Sequence, residues 1–161
     1  MPGCDVAILV LSDRAAAGTR PDACVPAIVE TLGQQYSVVH ERVLPDDAAA
    51  LQAELIDLAD RRRVPLVFTS GGTGLSPRDR TPQATQGVLD YEVPGIPEAM
   101  RAASAALVKT AMLSRAVAGV RGTTLIVNLP GSPKAVRETL AILLPALPHA
   151  LELLADTVTD G

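Results

Sequence analysis

The amino-acid sequence predicts a three-layer α/β/α domain with a mostly parallel central sheet. Short runs of strand length alternate with helical patterns along the chain. The first of these runs is apolar throughout, as a strand covered on both faces must be. Polar stretches, two of them glycine-rich, follow the runs at their carboxyl ends. The expectation is one domain over residues 1–161, since 161 residues with 48% apolar side chains can enclose one core and are short for two.

The first run, DVAILVL at 5–11, is a continuous β-branched-rich strand that stops at Ser12-Asp13-Arg14. Asp22 can cap a helix that runs to about Leu32, where Gly33 is the stop signal. YSVVHERVL at 36–44 is the second strand, which completes a β-α-β unit. In 45–63, Leu51, Leu55 and Leu58 fall on one helical face, with acids in the first turn and Arg61, Arg62 and Arg63 in the last, matching the helix dipole. VPLVFTS at 64–70 is the third strand and runs straight into SGGTGLSPRD. Thr81-Pro82 is an N-cap and N1 pair for a helix to about Asp90, and a further helix follows the Pro94-Gly95 break. The stretch 116–131 reads as two strands joined at Arg121-Gly122, the second ending in NLPG, and 134–144 reads as helix. No internal repeat, linker or low-complexity segment interrupts this order.

Composition narrows the functions available. Fourteen Lys and Arg against eighteen Asp and Glu give a formal net charge of −4, which lacks the basic field that draws proteins to nucleic acid. One Phe, two Tyr and no Trp leave no aromatic platform for stacked bases. Cys4 and Cys24 stand alone and suggest reduced structural thiols rather than a disulfide framework or a zinc site. The opening apolar run is too short for a signal peptide or a membrane span. The tail at 139–158 is broken by two prolines and a glutamate into one or two amphipathic helices. A cytoplasmic protein with no membrane and no nucleic-acid partner is the expectation.

In open α/β sheets ligands bind beyond the carboxyl ends of the strands. Four polar loops fall there: SDR (12–14), PDD (45–47), SGGTGLSPRD (70–79) and NLPGSPK (128–134). Glycines let backbone N–H groups approach an anion, and a helix N-terminus adds partial positive charge. Carboxylates beside such a ligand repel it unless a divalent cation intervenes, and Mg²⁺ typically takes one or two carboxylates plus phosphate oxygens. Each feature also has a plain structural reading. Glycines serve any tight strand-to-helix turn, Asp46 directly before a helix is most simply an N-cap, and Asp13 and Arg14 can pair on the surface. Asp79 lies between two arginines in a loop whose helix has Thr81 as a cap, and Lys134 at a helix start opposes the dipole, which favours a ligand role for it. Neither GxxxxGK[ST] nor GxGxxG occurs in the glycine-rich turn. His40 and His149 lie in a strand and a helix with no second histidine nearby. Ser70, Ser76 and Ser132 lack a histidine partner, which disfavours a hydrolytic triad.

Together SDR, PDD, TSGGTGLSPRDRTPQAT, PGIPEAMR and NLPGSPKAVRE, in this order and spacing, resemble the Mog and MoaB-like proteins of molybdenum-cofactor synthesis, related to the G domain of gephyrin. The resemblance covers nearly the whole chain, and its most specific part is the pairing of the GGTG and RD.TP block with NLPG.PK. It implies an adenylyl transfer in which the terminal phosphate of molybdopterin attacks the α-phosphorus of Mg-ATP and pyrophosphate leaves. Carried onto this sequence, it implies Asp46 and Asp79 as the catalytic acids that hold Mg²⁺ or orient the attacking phosphate. It implies substrate contacts from Ser12, Asp13 and Arg14, from Ser70, Gly71, Gly72, Thr73 and Gly74, and from Asn128, Pro130, Gly131, Ser132 and Lys134. It further implies molybdopterin and ATP as ligands, hand-over of the product to a molybdenum insertase, and a homotrimer.

Departures from the family pattern touch affinity rather than the reaction. Gln83 stands where an acid often follows TP, PGIPE replaces a PGFGE-like run, and SDRAAAGT has alanines where small hydroxyl residues are frequent. Two other classes of function stay open at this level. One is a molybdopterin carrier or scaffold without the transfer step, against which both acids argue. The other is a nucleotide pyrophosphatase of the competence-damage-like type.

Overall fold

The computed structural model describes residues 3–156. Six strands form one sheet in the order β2-β1-β3-β6-β5-β4. They are β1 Cys4–Leu11, β2 Tyr36–Leu44, β3 Leu66–Ser70, β4 Tyr91–Glu92, β5 Ala118–Arg121 and β6 Thr124–Leu129. The pairs β1–β2, β1–β3 and β3–β6 are parallel, whereas β5 is antiparallel to β6 and β4 to β5. The expected mostly parallel sheet is therefore present, with an antiparallel end.

Helices cover both faces. They are α1 Asp13–Ala16, α2 Cys24–Leu32, α3 Ala48–Ile56, α4 Thr81–Gln86, α5 Gly95–Ala105, α6 Pro133–Leu143 and α7 Leu147–Leu154. Alternation along β1 divides the core. Val6, Ile8 and Val10 join Ile28, Phe68, Met100, Val136 and Leu140 on one side, while Ala7, Leu9 and Leu11 join Leu51, Leu55, Leu58 and Val67 on the other. Strand β1 is buried on both faces because α2 and α6 cover one and α3 the other.

The order 2-1-3 places the topological switch at β1. The chain leaves β1 towards β2 on one side and returns to β3 on the other, so the loops after β1 and β3 diverge and leave a crevice between them. No helix among the described residues is long and apolar enough to cross a membrane.

Several local expectations are corrected. The cap of α3 is Asp47, whose side chain accepts from the Ala50 amide at 3.1 Å, so Asp46 is not the cap. The α3 helix then passes into a π-helical turn over Asp57–Arg61. Thr81 is inside α4 rather than capping it, and α4 stops at Gln86 rather than near Asp90. Asp90 instead accepts from the Gly122 amide across the β5–β6 turn. The apolar tail forms the end of α6 and all of α7; its last two residues, Thr157 and Val158, lie outside the described residues.

Candidate active site

A cavity of about 360 Å³ opens at the carboxyl ends of β1 and β3. It brings together Ser12, Asp13 and Arg14 after β1, Asp46 after β2, Ser70, Gly71, Gly72 and Asp79 around the turn after β3, and Gly131 after β6. Two of its glycines are required by geometry. Gly71 has φ +96°, and a side-chain carbon there would lie 2.4 Å from the Leu11 carbonyl oxygen. Gly72 has φ +70°, with Thr81 Oγ1 at 2.3 Å and Asp46 Oδ1 at 3.5 Å from the same hypothetical carbon. A carbon added at Gly131 would meet the Gly71 Cα at 3.3 Å, so the loops after β3 and β6 touch backbone to backbone.

The two acid-bearing loops clasp each other. The Asp13 amide donates to Asp46 Oδ2 at 3.2 Å and the Asp46 amide donates to Asp13 Oδ1 at 2.9 Å. Arg78 closes the arrangement with Nε on Asp13 Oδ2 at 2.6 Å and Nη2 on Asp13 Oδ1 at 3.0 Å. The Arg78 guanidinium, with help from the Asp46 amide, holds the Asp13 carboxyl below its ordinary range. Asp46 moves the other way, because burial, followed by its acidic neighbours Asp13 and Asp79, outweighs the hydrogen bond from Asp13.

Asp79 Oδ2 accepts from the Ser76 amide at 3.1 Å, while a carbon at Gly74 would lie 2.9 Å from the same oxygen. Asp46 and Asp79 thus flank the Gly72–Gly74 turn, each with one carboxylate oxygen that takes no hydrogen bond among the described residues. The amides of Gly72, Thr73 and Gly74 are likewise uncommitted, whereas that of Gly71 donates to the Leu129 carbonyl. Free amides beside two partly free carboxylates can bind phosphate oxygens with a divalent cation between the charges. The donor set fits Mg²⁺: two oxygen ligands from protein, the remainder from phosphate and water, and an Asp46 carboxylate whose ionised form a cation would favour. Among the described residues no group of three or more His, Cys, Asp or Glu forms a closed metal cage.

Five of the expected contacts lie elsewhere. Thr73, Gly74, Pro130, Ser132 and Lys134 line a second, more apolar cavity of about 370 Å³, walled by α5, α6 and the segment before β5. Ser132 also caps α6 through the Ala135 amide at 3.2 Å, and Lys134 stands at the rim, 3.9 Å from Glu138. The two cavities share the glycine-rich turn as their partition.

One expected contact, Asn128, is buried instead, and the hydroxyl of Ser70, although that residue lines the first cavity, is bonded within the protein. Asn128 is 0% exposed: its Oδ1 accepts from the Val117 amide at 3.1 Å, and its Nδ2 donates to Thr69 at 2.8 Å and Thr85 at 3.0 Å. It joins β6, β3, α4 and the start of β5 and has no donor left for a ligand. The Ser70 hydroxyl is similarly committed to the Pro130 carbonyl at 2.7 Å.

Sequence reasoning missed Arg78, Arg20, Asp22 and Cys24 in the first cavity. The flanking of Asp79 by arginines was the available signal for Arg78. Cys24 is buried, burial pushes its thiol up, and it donates to the Gly131 carbonyl at 3.4 Å. Neither cysteine is in a disulfide, as expected. His40 is engaged with Glu54 and Arg62, and His149 stands 3.9 Å from Glu152.

Residues 7–149 match the family described as "Probable molybdopterin binding domain". The chain is 40% identical to a molybdopterin adenylyltransferase of Helicobacter pylori (strain J99) over 92% of its own length and 86% of the relative's. It is 43% identical to the molybdopterin adenylyltransferase of Escherichia coli (strain K12), covering 84% of this chain and 71% of that one. Among solved structures, the molybdopterin biosynthesis enzyme MoaB of Thermus thermophilus superposes with a TM-score of 0.91 at 48% identity, covering 95% of this chain and 97% of that one.

Proposed function

The chain belongs to the family of probable molybdopterin binding domains, and from that premise we propose that it is a molybdopterin adenylyltransferase using Mg-ATP as the AMP donor. The observation that carries this reading is the meeting of Asp46, Asp79 and the Gly71-Gly72 turn in one cavity at the switch point of the sheet.

A phosphate oxygen of molybdopterin attacks the α-phosphorus of ATP; the new P–O bond forms as the bond to pyrophosphate breaks, and pyrophosphate carries away the electron pair. The nucleophile belongs to the substrate, so the protein must position two anions and balance their charge. The amide of Gly72, uncommitted among the described residues, provides a donor for phosphate oxygens in this cavity, those of Thr73 and Gly74 lie on the turn it shares with the second, and Arg14 and Arg20 stand beside the four aspartates of its lining. Asp46 and Asp79 would hold Mg²⁺, which when bound neutralises phosphate charge and orients the oxygens around the α-phosphorus. Asp13 and Arg78 act one step back, fixing the Asp46 loop through the reciprocal hydrogen bonds.

The same reading makes the protein a cytoplasmic homotrimer that passes its product to a molybdenum insertase. Exposed Leu107, Val108, Met112 and Leu113 support self-association through the segment after α5.

The test is to mix protein, molybdopterin, ATP and Mg²⁺ and follow adenylylated molybdopterin by chromatography. Product that requires the pterin and Mg²⁺, and that Asp79→Asn abolishes while retaining pterin binding, upholds the reading. Pterin binding without product would make the chain a carrier, and ATP hydrolysis without pterin would make it a pyrophosphatase.

A further inference from the structure

We propose that Arg115 is the positioning residue for Asp79, acting from the segment before β5, where its neighbours Ser114 and Ala116 line the second cavity. The proposal rests on the role given to Asp79 above. Arg115 lies in the segment before β5 and reaches the glycine-rich turn three times. Its backbone amide donates to the Thr73 carbonyl at 2.9 Å, its Nε to the Gly74 carbonyl at 2.8 Å and its Nη2 to the Asp79 carbonyl at 2.7 Å.

These bonds grip the loop at its entry and at its exit. Within the loop itself, Asp79 N–H donates to the Ser76 carbonyl at 2.9 Å and the Ser76 amide returns a bond to Asp79 Oδ2. That inner ring sets the direction of the Asp79 carboxylate relative to its own backbone, and Arg115 sets where the ring stands. All three acceptors are carbonyls, so Arg115 fixes position and leaves the charge pairing of Arg78 with Asp13 untouched. The rigid, planar fork suits two diverging carbonyls; a lysine ammonium is a single point on a flexible stem.

The other end of the link is anchored as well. Arg101 of α5 donates to the Ser114 carbonyl at 3.3 Å and the Ala116 carbonyl at 2.9 Å, so both neighbours of Arg115 are tied to a helix that walls the second cavity. Arg101 thus holds the backbone on both sides of Arg115, and Arg115 in turn holds the loop that carries Asp79.

The experiment compares the parent, Arg115→Ala and Arg115→Lys in single-turnover adenylylation, with molybdopterin and nucleotide affinities measured separately. A displacement of the acid by about 1 Å lowers the rate constant by about 100-fold, so Arg115→Ala is expected to lose that much while both affinities are retained. Arg115→Lys, able to reach one carbonyl, should fall between. Amide hydrogen exchange on the ligand-free proteins supplies a second readout: within residues 71–80 the hydrogen-bonded amides of Ser76 and Asp79 should exchange faster in Arg115→Ala, with β1 and β6 unchanged. Parental turnover in Arg115→Ala overturns the proposal. So does a parallel loss of rate, affinity and melting temperature in both variants, which would mark a residue needed only for folding. If Arg115→Ala does not fold, Arg115→Lys decides. If the parent itself yields no adenylylated product, the adenylyltransferase reading fails, and unchanged exchange at the Ser76 and Asp79 amides would separately overturn the grip of Arg115 on the loop.

Discussion

Replacing Asn128 by alanine separates a ligand contact from a structural tie. The amide is 0% exposed, and its removal leaves the Val117 N–H without a partner inside the protein. An unpaired buried donor costs about 1–3 kcal/mol. The bonds to Thr69 and Thr85, both fully buried, contribute about 0.5–1.5 kcal/mol each, and the vacated volume adds to the loss. A destabilisation of about 3 kcal/mol or more follows, which moves a urea unfolding midpoint down by roughly 1–2 M. The assay is urea unfolding by circular dichroism, paired with molybdopterin titration under conditions where the variant is folded. The expected result is the midpoint shift with pterin affinity retained. A midpoint within experimental scatter of the parent, accompanied by a tenfold weaker pterin affinity, would refute the argument and return Asn128 to the ligand.

Gly71→Ala places a carbon 2.4 Å from the Leu11 carbonyl oxygen at a positive φ, on backbone that cannot swing aside. Conformational strain and overpacking together cost about 3 kcal/mol, so the melting temperature should fall by roughly 6 °C or more in a thermal scan; an unchanged value would show that the turn has slack. Asp46→Asn has the opposite sign for stability. Because burial raises the folded-state carboxyl above its unfolded value, the penalty for ionising it is absent below about pH 3.9 and complete once pH exceeds the raised value. The variant should therefore melt higher than the parent at neutral pH without Mg²⁺, while failing to form product; the advantage should shrink as the pH is lowered through the raised value. A lower melting temperature at neutral pH would contradict the assignment of burial as the dominant influence.

The architecture was legible because its signals are periodic. Strand length, continuous apolar character and the Leu51, Leu55, Leu58 spacing survive without knowledge of neighbours. Features set by contacts between distant segments were not. Strand β4 is two residues long and exists through its pairing with β5, and α1 is a single turn held by its Ser12 cap. The position before the helix suggests Asp46 as the cap of α3, but Asp47, one residue on, takes that role and frees Asp46 for the cavity. The site loops were found, but their division between two cavities depends on how α5 and the β6–α6 loop pack. Arg115 had no signature, since a lone arginine ahead of a strand reads as a solvated surface residue, while the folded chain gives it three carbonyl partners.

The contact of Gly71 with Gly131 limits how this site could be re-engineered. The two positions follow β3 and β6, which are adjacent strands whose separation is set by their hydrogen-bond ladder at about 4.8 Å. A side chain at Gly71 would collide with the Leu11 carbonyl, and one at Gly131 would fit only if the Gly71 backbone gave way by a few tenths of an ångström, so replacing both compounds the crowding. The innermost point of the crevice is therefore set by backbone rather than by side chains, and Gly71 is the position that holds it.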